Sequence, residues 1–339
     1  MQFGRMAVST PDGRQTRIVV RQDASSDWFD VRAAYAQQLV ASGASAEPAG
    51  AIASATVPGS LSRALQCGEV FLDVVTAVLS EPVEAAKVMD PALTNALDPT
   101  SYRDFMVFQE HFSFGYRWQN KPVPDVMYEL PVSYAGDPLS FIGSGEEIPW
   151  PSYSDHLDYE LELGIVIGKS GRDLTPDEAL DHVLGLTILN DVSARDIQAR
   201  EMTGGLGPSK GKHFACVTGS LVTTLDAIPE TGLRMTATVN GETWCDTTSA
   251  EMVWSVAEIV AWASQGETLQ PGALLGSGTC NGGSTIELGR RLNPGDTIEL
   301  AIEHLGTATN QLGTPPSVRW QPTPRVRDVN GEAATTFLR

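Results

Sequence analysis

Ten residues constrain this chain more than any others: Tyr159-Glu160-Leu161-Glu162-Leu163-Gly164-Ile165-Val166-Ile167-Gly168. Residues two apart on a strand share a face, so Glu160 and Glu162 project together while Leu161 and Leu163 turn the other way. Two neighbouring carboxylates repel each other unless a cation or protons intervene. Beyond Gly164 the run is continuously apolar, as a strand covered on both faces is. The segment therefore places either an acidic site at the mouth of a buried sheet or a solvated strand face.

The surrounding texture is strand-rich. Further strand-like runs cover Gly185 to Asp191, Leu221 to Thr224, Met235 to Asn240, Ser284 to Leu288 and Thr297 to Glu303, punctuated by turn signals such as Asn240-Gly241 and Pro294-Gly295-Asp296. Two capping boxes mark helices, one at Thr175-Pro176-Asp177-Glu178 and one at Thr248 with Glu251. After the second, Met252, Val256, Ile259, Val260 and Ala263 recur at helical spacing as a core face. The first 92 residues read as a small N-terminal α/β domain. Ile18 to Val20 is a strand, Trp28 to Leu39 a helix, Ala41 to Pro58 a loop, and Leu61 to Leu79 one or two helices. The pattern has no regular alternation of strand and helix, so a mixed, mainly β (α+β) architecture is expected, with residues 93–312 as the main domain and 313–339 as an extended arm.

The 339 residues are 42% hydrophobic, enough for a sizeable core. Acids outnumber bases 42 to 23, for a net charge of -19, a field that disfavours nucleic acid and anionic membranes. No apolar run approaches the ~20 residues of a membrane helix. Residues 1–20 lack a signal-peptide core. Cys67, Cys216, Cys245 and Cys280 are widely spaced without a CxxC pair. A cytoplasmic protein with reduced thiols is expected.

Other segments carry candidate chemistry. Leu189-Asn190-Asp191-Val192-Ser193-Ala194-Arg195-Asp196-Ile197-Gln198 brings an acid at the end of an apolar run, then Arg195 and Gln198 at a spacing that shares a helix face. Asp191 is either a third carboxylate in an oxygen shell for a hard ion such as Mg²⁺, Mn²⁺ or Ca²⁺, or a helix cap. Arg195 suits a bidentate grip on a substrate carboxylate. In Gly207-Pro208-Ser209-Lys210-Gly211-Lys212-His213-Phe214 the phosphate-loop spacing is absent, and a lysine there either stabilises an oxyanion or decorates the surface. Asp104 to His111 ends on a candidate general base. Gly276-Ser277-Gly278-Thr279-Cys280-Asn281-Gly282-Gly283 is a glycine-dense loop whose amides and Thr279 hydroxyl suit an anion.

In order and spacing, DFxxFxxH, LPVxY, ELELG, NDxSARDIQ, GKxF, SGT and a following Glu resemble the fumarylacetoacetate hydrolase family, over about Asp104 to Gly306. The resemblance implies a mixed β-sandwich roll, usually a homodimer, with a small variable N-terminal domain. It implies that Asp104, Glu160, Glu162 and Asp191 ligate a divalent metal, Mg²⁺ or alternatively Mn²⁺ or Ca²⁺. His111 matches a catalytic base, and Glu287 the acid that orients it, with Glu110 as an alternative partner. Arg195, Gln198 and Lys212 match groups that bind substrate and stabilise charge. Tyr134 and Thr279 match substrate-contacting positions. Met106 stands where the name-giving hydrolases carry a substrate-holding tyrosine, and Glu201 to Gly205 also differs, so fumarylacetoacetate itself is not the expected substrate. The expected reaction is hydrolytic C–C cleavage of a small 2,4-diketo acid. The alternatives are decarboxylation or tautomerisation of a keto acid at the same site, and a non-catalytic metal-binding scaffold.

Overall fold

A computed structural model describes residues 1–10, 13–118 and 120–322. Its main feature is a 12-stranded sheet centred on Leu161–Ile167. Val183–Asn190 pairs antiparallel on one side of that strand and Leu274–Gly276 on the other; Tyr102–Phe105 then runs parallel to Leu274–Gly276. A separate four-stranded sheet contains Arg234–Val239 and Thr297–Ile302.

Apart from Glu162, the central strand is apolar because it is covered twice. Leu161, Leu163, Ile165 and Ile167 pack with Met235, Ala237, Val239, Ile298 and Leu300 of the smaller sheet, and with Ile259 and Val260. Val166 packs on the opposite face with Phe3, Ile18, Val20, Phe71, Val75 and Val78 from the N-terminal region. Full burial of each such aliphatic side chain is worth about 1.5–3 kcal/mol. The N-terminal strands are continuous with the same sheet: Gln2–Thr10 forms a hairpin with Gly13–Arg21 and pairs with Leu221–Thr224, register Gln2 opposite Thr223. The Asn240-Gly241 signal is a tight hairpin turn with positive φ at both residues, 51° and 82°.

Several local expectations change. Ala41 to Pro58 holds a helix, Ala46–Thr56, rather than a loop. Pro48 falls in its first turn, where the missing N–H has no intrahelical partner to lose, and the alanines favour helix. Trp28–Asp30 is a strand, and the helix starts at Val31 with Asp30 as its cap. Thr248 caps only a 3-10 turn; the helix Val256–Ser264 begins at its own box, Ser255 with Glu258. Ser284 to Leu288 is a short helix, Thr285–Leu288, not a strand, and Gly289 ends it in the left-handed region at φ 63°. Residues 313–322 carry no regular element, and the rest of the expected arm lies outside the described residues.

Candidate active site

Strand register assembles the acids. Gly276 lies opposite Gly164 on one side and Asp104 on the other, while Glu162 is level with Leu189, two residues before Asp191. One oxygen from each of Asp104, Glu162 and Asp191 lies within 4.8 Å of the others, and all three residues are buried. Gly276 makes room for them: a Cβ there would stand 2.2 Å from Asp104 Oδ1 and 2.9 Å from Glu162 Oε2. Among the described residues, Glu162 Oε2 is buried without a hydrogen-bond partner. Burial, and then the Asp191 charge, raises the Asp104 carboxyl well above its ordinary range. Burial, and then Asp104, does the same to Glu162. Three converging hard oxygen donors with an orphaned lone pair fit a divalent cation of the Mg²⁺ type.

Glu160 sits beside this triad and is engaged by cations. Its Oε1 forms an ion pair with Arg195 Nη2 at 2.7 Å, and its Oε2 accepts from Lys212 Nζ. Burial alone would raise the Glu160 carboxyl, but Arg195, Lys212 and His111 outweigh it and hold it below the usual range. Lys212 also donates to Asp191 Oδ2 at 2.5 Å. Burial works against the Lys212 ammonium, yet Asp191 and Glu160 more than offset it and keep it charged.

Arg195 and Gln198 share one face of the helix Arg195–Met202, as their spacing predicts; Arg195 Nη1 donates to Gln198 Oε1 at 3.0 Å. The guanidinium is not a free clamp, however. Its Nε and Nη2 both lie 2.8 Å from Asp158 Oδ2. Asp158, fully buried, also accepts the Thr285 N–H at 2.8 Å, tying Arg195 to the helix that bears Glu287. This residue escaped the sequence reading, although its signal was present: Asp158, Glu160 and Glu162 form one two-residue alternation.

His111, on the helix Gln109–Trp118, places Nδ1 2.8 Å from Glu287 Oε2. Glu287 is further held by the Ser284 hydroxyl at 2.6 Å and the Gly282 N–H at 3.0 Å. Burial raises its carboxyl, but the bonds from His111 and Ser284 win and lower it, so it is ionised and accepts. The alternative partner, Glu110, turns away to Arg117 at 3.1 Å. His111 Nε2 lies 3.9 Å from Glu160 Oε1.

These groups open onto a cavity of about 210 Å³ lined by Asp104, Met106, His111, Tyr134, Glu160, Arg195, Gln198, Lys212 and Thr279, with Met202 and Pro208 among its apolar atoms. The Tyr134 hydroxyl donates to Asp191 Oδ2 at 2.7 Å, and the Thr279 hydroxyl to Glu162 Oε1 at 3.3 Å. Of the candidate residues, Glu162, Asp191 and Glu287 lie behind the lining. The four cysteines are free, and no described helix is long and apolar enough to cross a membrane.

Residues 101–313 match the fumarylacetoacetate (FAA) hydrolase C-terminal family. The chain is 30% identical over 269 residues, 76% of its length and 81% of the relative's, to a human protein named oxaloacetate tautomerase FAHD2A, mitochondrial. It is 34% identical over 188 residues to oxaloacetate tautomerase YisK of Bacillus subtilis; that match covers 55% of this chain and 62% of the relative. Among solved structures, a putative HpcE protein from Mycobacterium smegmatis superposes with TM-score 0.71 at 22% identity, covering 93% of this chain and all of that one, a likeness of fold. The family match, the relatives' coverage and the shared fold agree: the chain belongs to the fumarylacetoacetate hydrolase family.

Proposed function

We propose that this chain is a metal-assisted tautomerase of a small 2-keto dicarboxylic acid of the oxaloacetate type, interconverting its enol and keto forms. The observation that carries the reading is the polarised His111–Glu287 pair opening onto a small cavity shared with Lys212. The relatives' names favour tautomerisation over the C–C hydrolysis expected from sequence. A cavity of about 210 Å³ lies below the ~300–1,000 Å³ of sites for larger ligands, which suits a compact acid.

The ionised Glu287 accepts from Nδ1–H, so the Nε2 lone pair of His111 is the free base. In the direction enol to keto, His111 Nε2 takes the enol hydroxyl proton and returns it to C3, so that the base is regenerated and no net proton is gained or lost. His111 Nε2 is the group that exchanges the C3 proton. Negative charge on the enolate oxygen is stabilised by the Lys212 ammonium, fixed by Glu160 and Asp191. Arg195 holds Glu160 and Gln198 at the cavity wall. Asp104, Glu162 and Asp191 are the residues that would hold a divalent ion, Mg²⁺ or Mn²⁺, which when bound supplies Lewis-acid stabilisation of an enolate. A homodimer and a cytoplasmic location accompany the proposal as expectations.

Hydrolysis is the second reading, because the same His111–Glu287 pair suits activation of a water. One experiment separates the two. Freshly dissolved enol-oxaloacetate and a panel of acylpyruvates are followed by loss of enol absorbance, with carbon-13 NMR of the products. Catalysed ketonisation with the carbon skeleton intact supports the proposal. Fragmentation of acylpyruvates without catalysed ketonisation overturns it.

A further inference from the structure

A second cavity, larger than the catalytic one at about 900 Å³, lies where the N-terminal hairpin meets the loop around Gly145. Its lining carries three arginines, Arg5, Arg14 and Arg32, against one acid, Glu146. Glu146 is exposed, and its Oε1 accepts the Gly143 N–H at 2.8 Å. Positive charge thus faces a cleft in a chain whose net charge is -19.

The arginines differ in how far they are satisfied. Arg5 is buried and anchored: it pairs with Asp98 at 3.4 Å, and its Nε donates to Gly59 O at 3.1 Å. Arg32 uses Nε on Val57 O at 2.7 Å, and among the described residues it forms no ion pair. Arg14 is exposed and, among the described residues, also forms none. Burial lowers the Arg32 guanidinium, and the charge of nearby Arg17 lowers it further against the opposing pull of Asp30. Among the described residues, Arg17 itself reaches only Asp30, at 3.4 Å, and its Nε is buried without a partner. A group of cations with spare planar donors is the arrangement that recognises carboxylate and phosphate oxygens.

We infer that this cleft binds a small, multiply charged oxyanion, held chiefly by Arg14 and Arg32, with Arg5 as the fixed floor. The site is separate from the catalytic cavity, and it stands or falls independently of the tautomerase reading.

The test is calorimetric titration of the full chain, at low ionic strength, with inorganic phosphate and with tricarballylate. Saturable binding is expected, weakened on the order of tenfold or more by the Arg14→Ala, Arg32→Ala double substitution. Phosphate binding without tricarballylate binding assigns a phosphate-bearing ligand; the reverse assigns a polycarboxylate; both together support a general oxyanion site. The single Arg14→Ala variant, at an exposed position, serves if the double variant does not fold, and weaker binding is again expected. No saturable binding of either anion overturns the inference, and so does binding that the arginine variants leave unchanged.

Discussion

His111 Nδ1 and Glu287 Oε2 lie 2.8 Å apart, although the two residues are 176 positions apart in sequence. The contact fixes which imidazole nitrogen is free, and thus which atom would move a proton in the proposed reaction. In Glu287→Gln the amide no longer enforces that tautomer. The expected result is a fall in kcat of about 10²–10⁴-fold, the range that general acid–base groups contribute, with the metal still bound. Steady-state rates of enol loss check this; a kcat near wild type would remove Glu287 from the mechanism.

The acidic triad makes a binding prediction. Glu162→Ala should abolish Mg²⁺ binding in a calorimetric titration, whereas His111→Ala should retain it and lose turnover. Should Glu162→Ala bind Mg²⁺ with unchanged affinity, the triad is not the metal site.

Gly276→Ala tests the same cluster sterically. The added methyl would crowd Asp104 Oδ1 and Glu162 Oε2, so the carboxylates must shift. Overpacking of this kind costs about 1–3 kcal/mol. Lower metal affinity and a lower unfolding midpoint are expected, and a variant indistinguishable from wild type in both would contradict the geometry.

Asp104 and Glu162 have folded pKa values raised above their unfolded ones, near about 3.9 and 4.3. The folded chain therefore binds more protons than the unfolded chain, and the metal-free protein loses stability as pH rises through the raised values. Thermal unfolding in EDTA should show a midpoint that falls from about pH 5 to pH 8, and saturating Mg²⁺ should flatten that slope by holding both groups ionised. A metal-free midpoint independent of pH would refute the linkage.

Lys212 is buried between two carboxylates, so Lys212→Met leaves Glu160 and Asp191 without their ammonium. Removing one partner from such a buried set costs about 3–5 kcal/mol. Chemical denaturation should show that loss, and whatever folded protein remains should be strongly impaired in enol loss.

Much of the site was legible because its chemistry is local. Glu160 and Glu162 announce themselves by alternation, and Arg195 and Gln198 by helical spacing. The same alternation contains Asp158, whose role emerges only when Arg195 folds back onto it across 37 positions. Glu287 was placed on a strand because Thr285, Ile286 and Leu288 favour one locally, whereas the chain there is a short helix closed by Gly289. The helix Ala46–Thr56 was hidden by Gly and Pro, whose cost depends on their place in the turn. Register was illegible throughout: no local pattern says that Leu163 N–H meets Ser277 Oγ 114 residues away.

The pairing of Gln2 with Thr223 has a consequence for how the chain is made. The first strand leaves the ribosome long before its neighbour exists, and 221 residues separate the two. At about 5–20 residues per second, the wait is roughly 10–45 s. During it the edge of the Gln2–Thr10 strand, with the apolar Phe3 near its start, has no partner on that side. The nascent hairpin is thus a place where a chaperone would engage this protein, and where crowding during synthesis would cause it to aggregate.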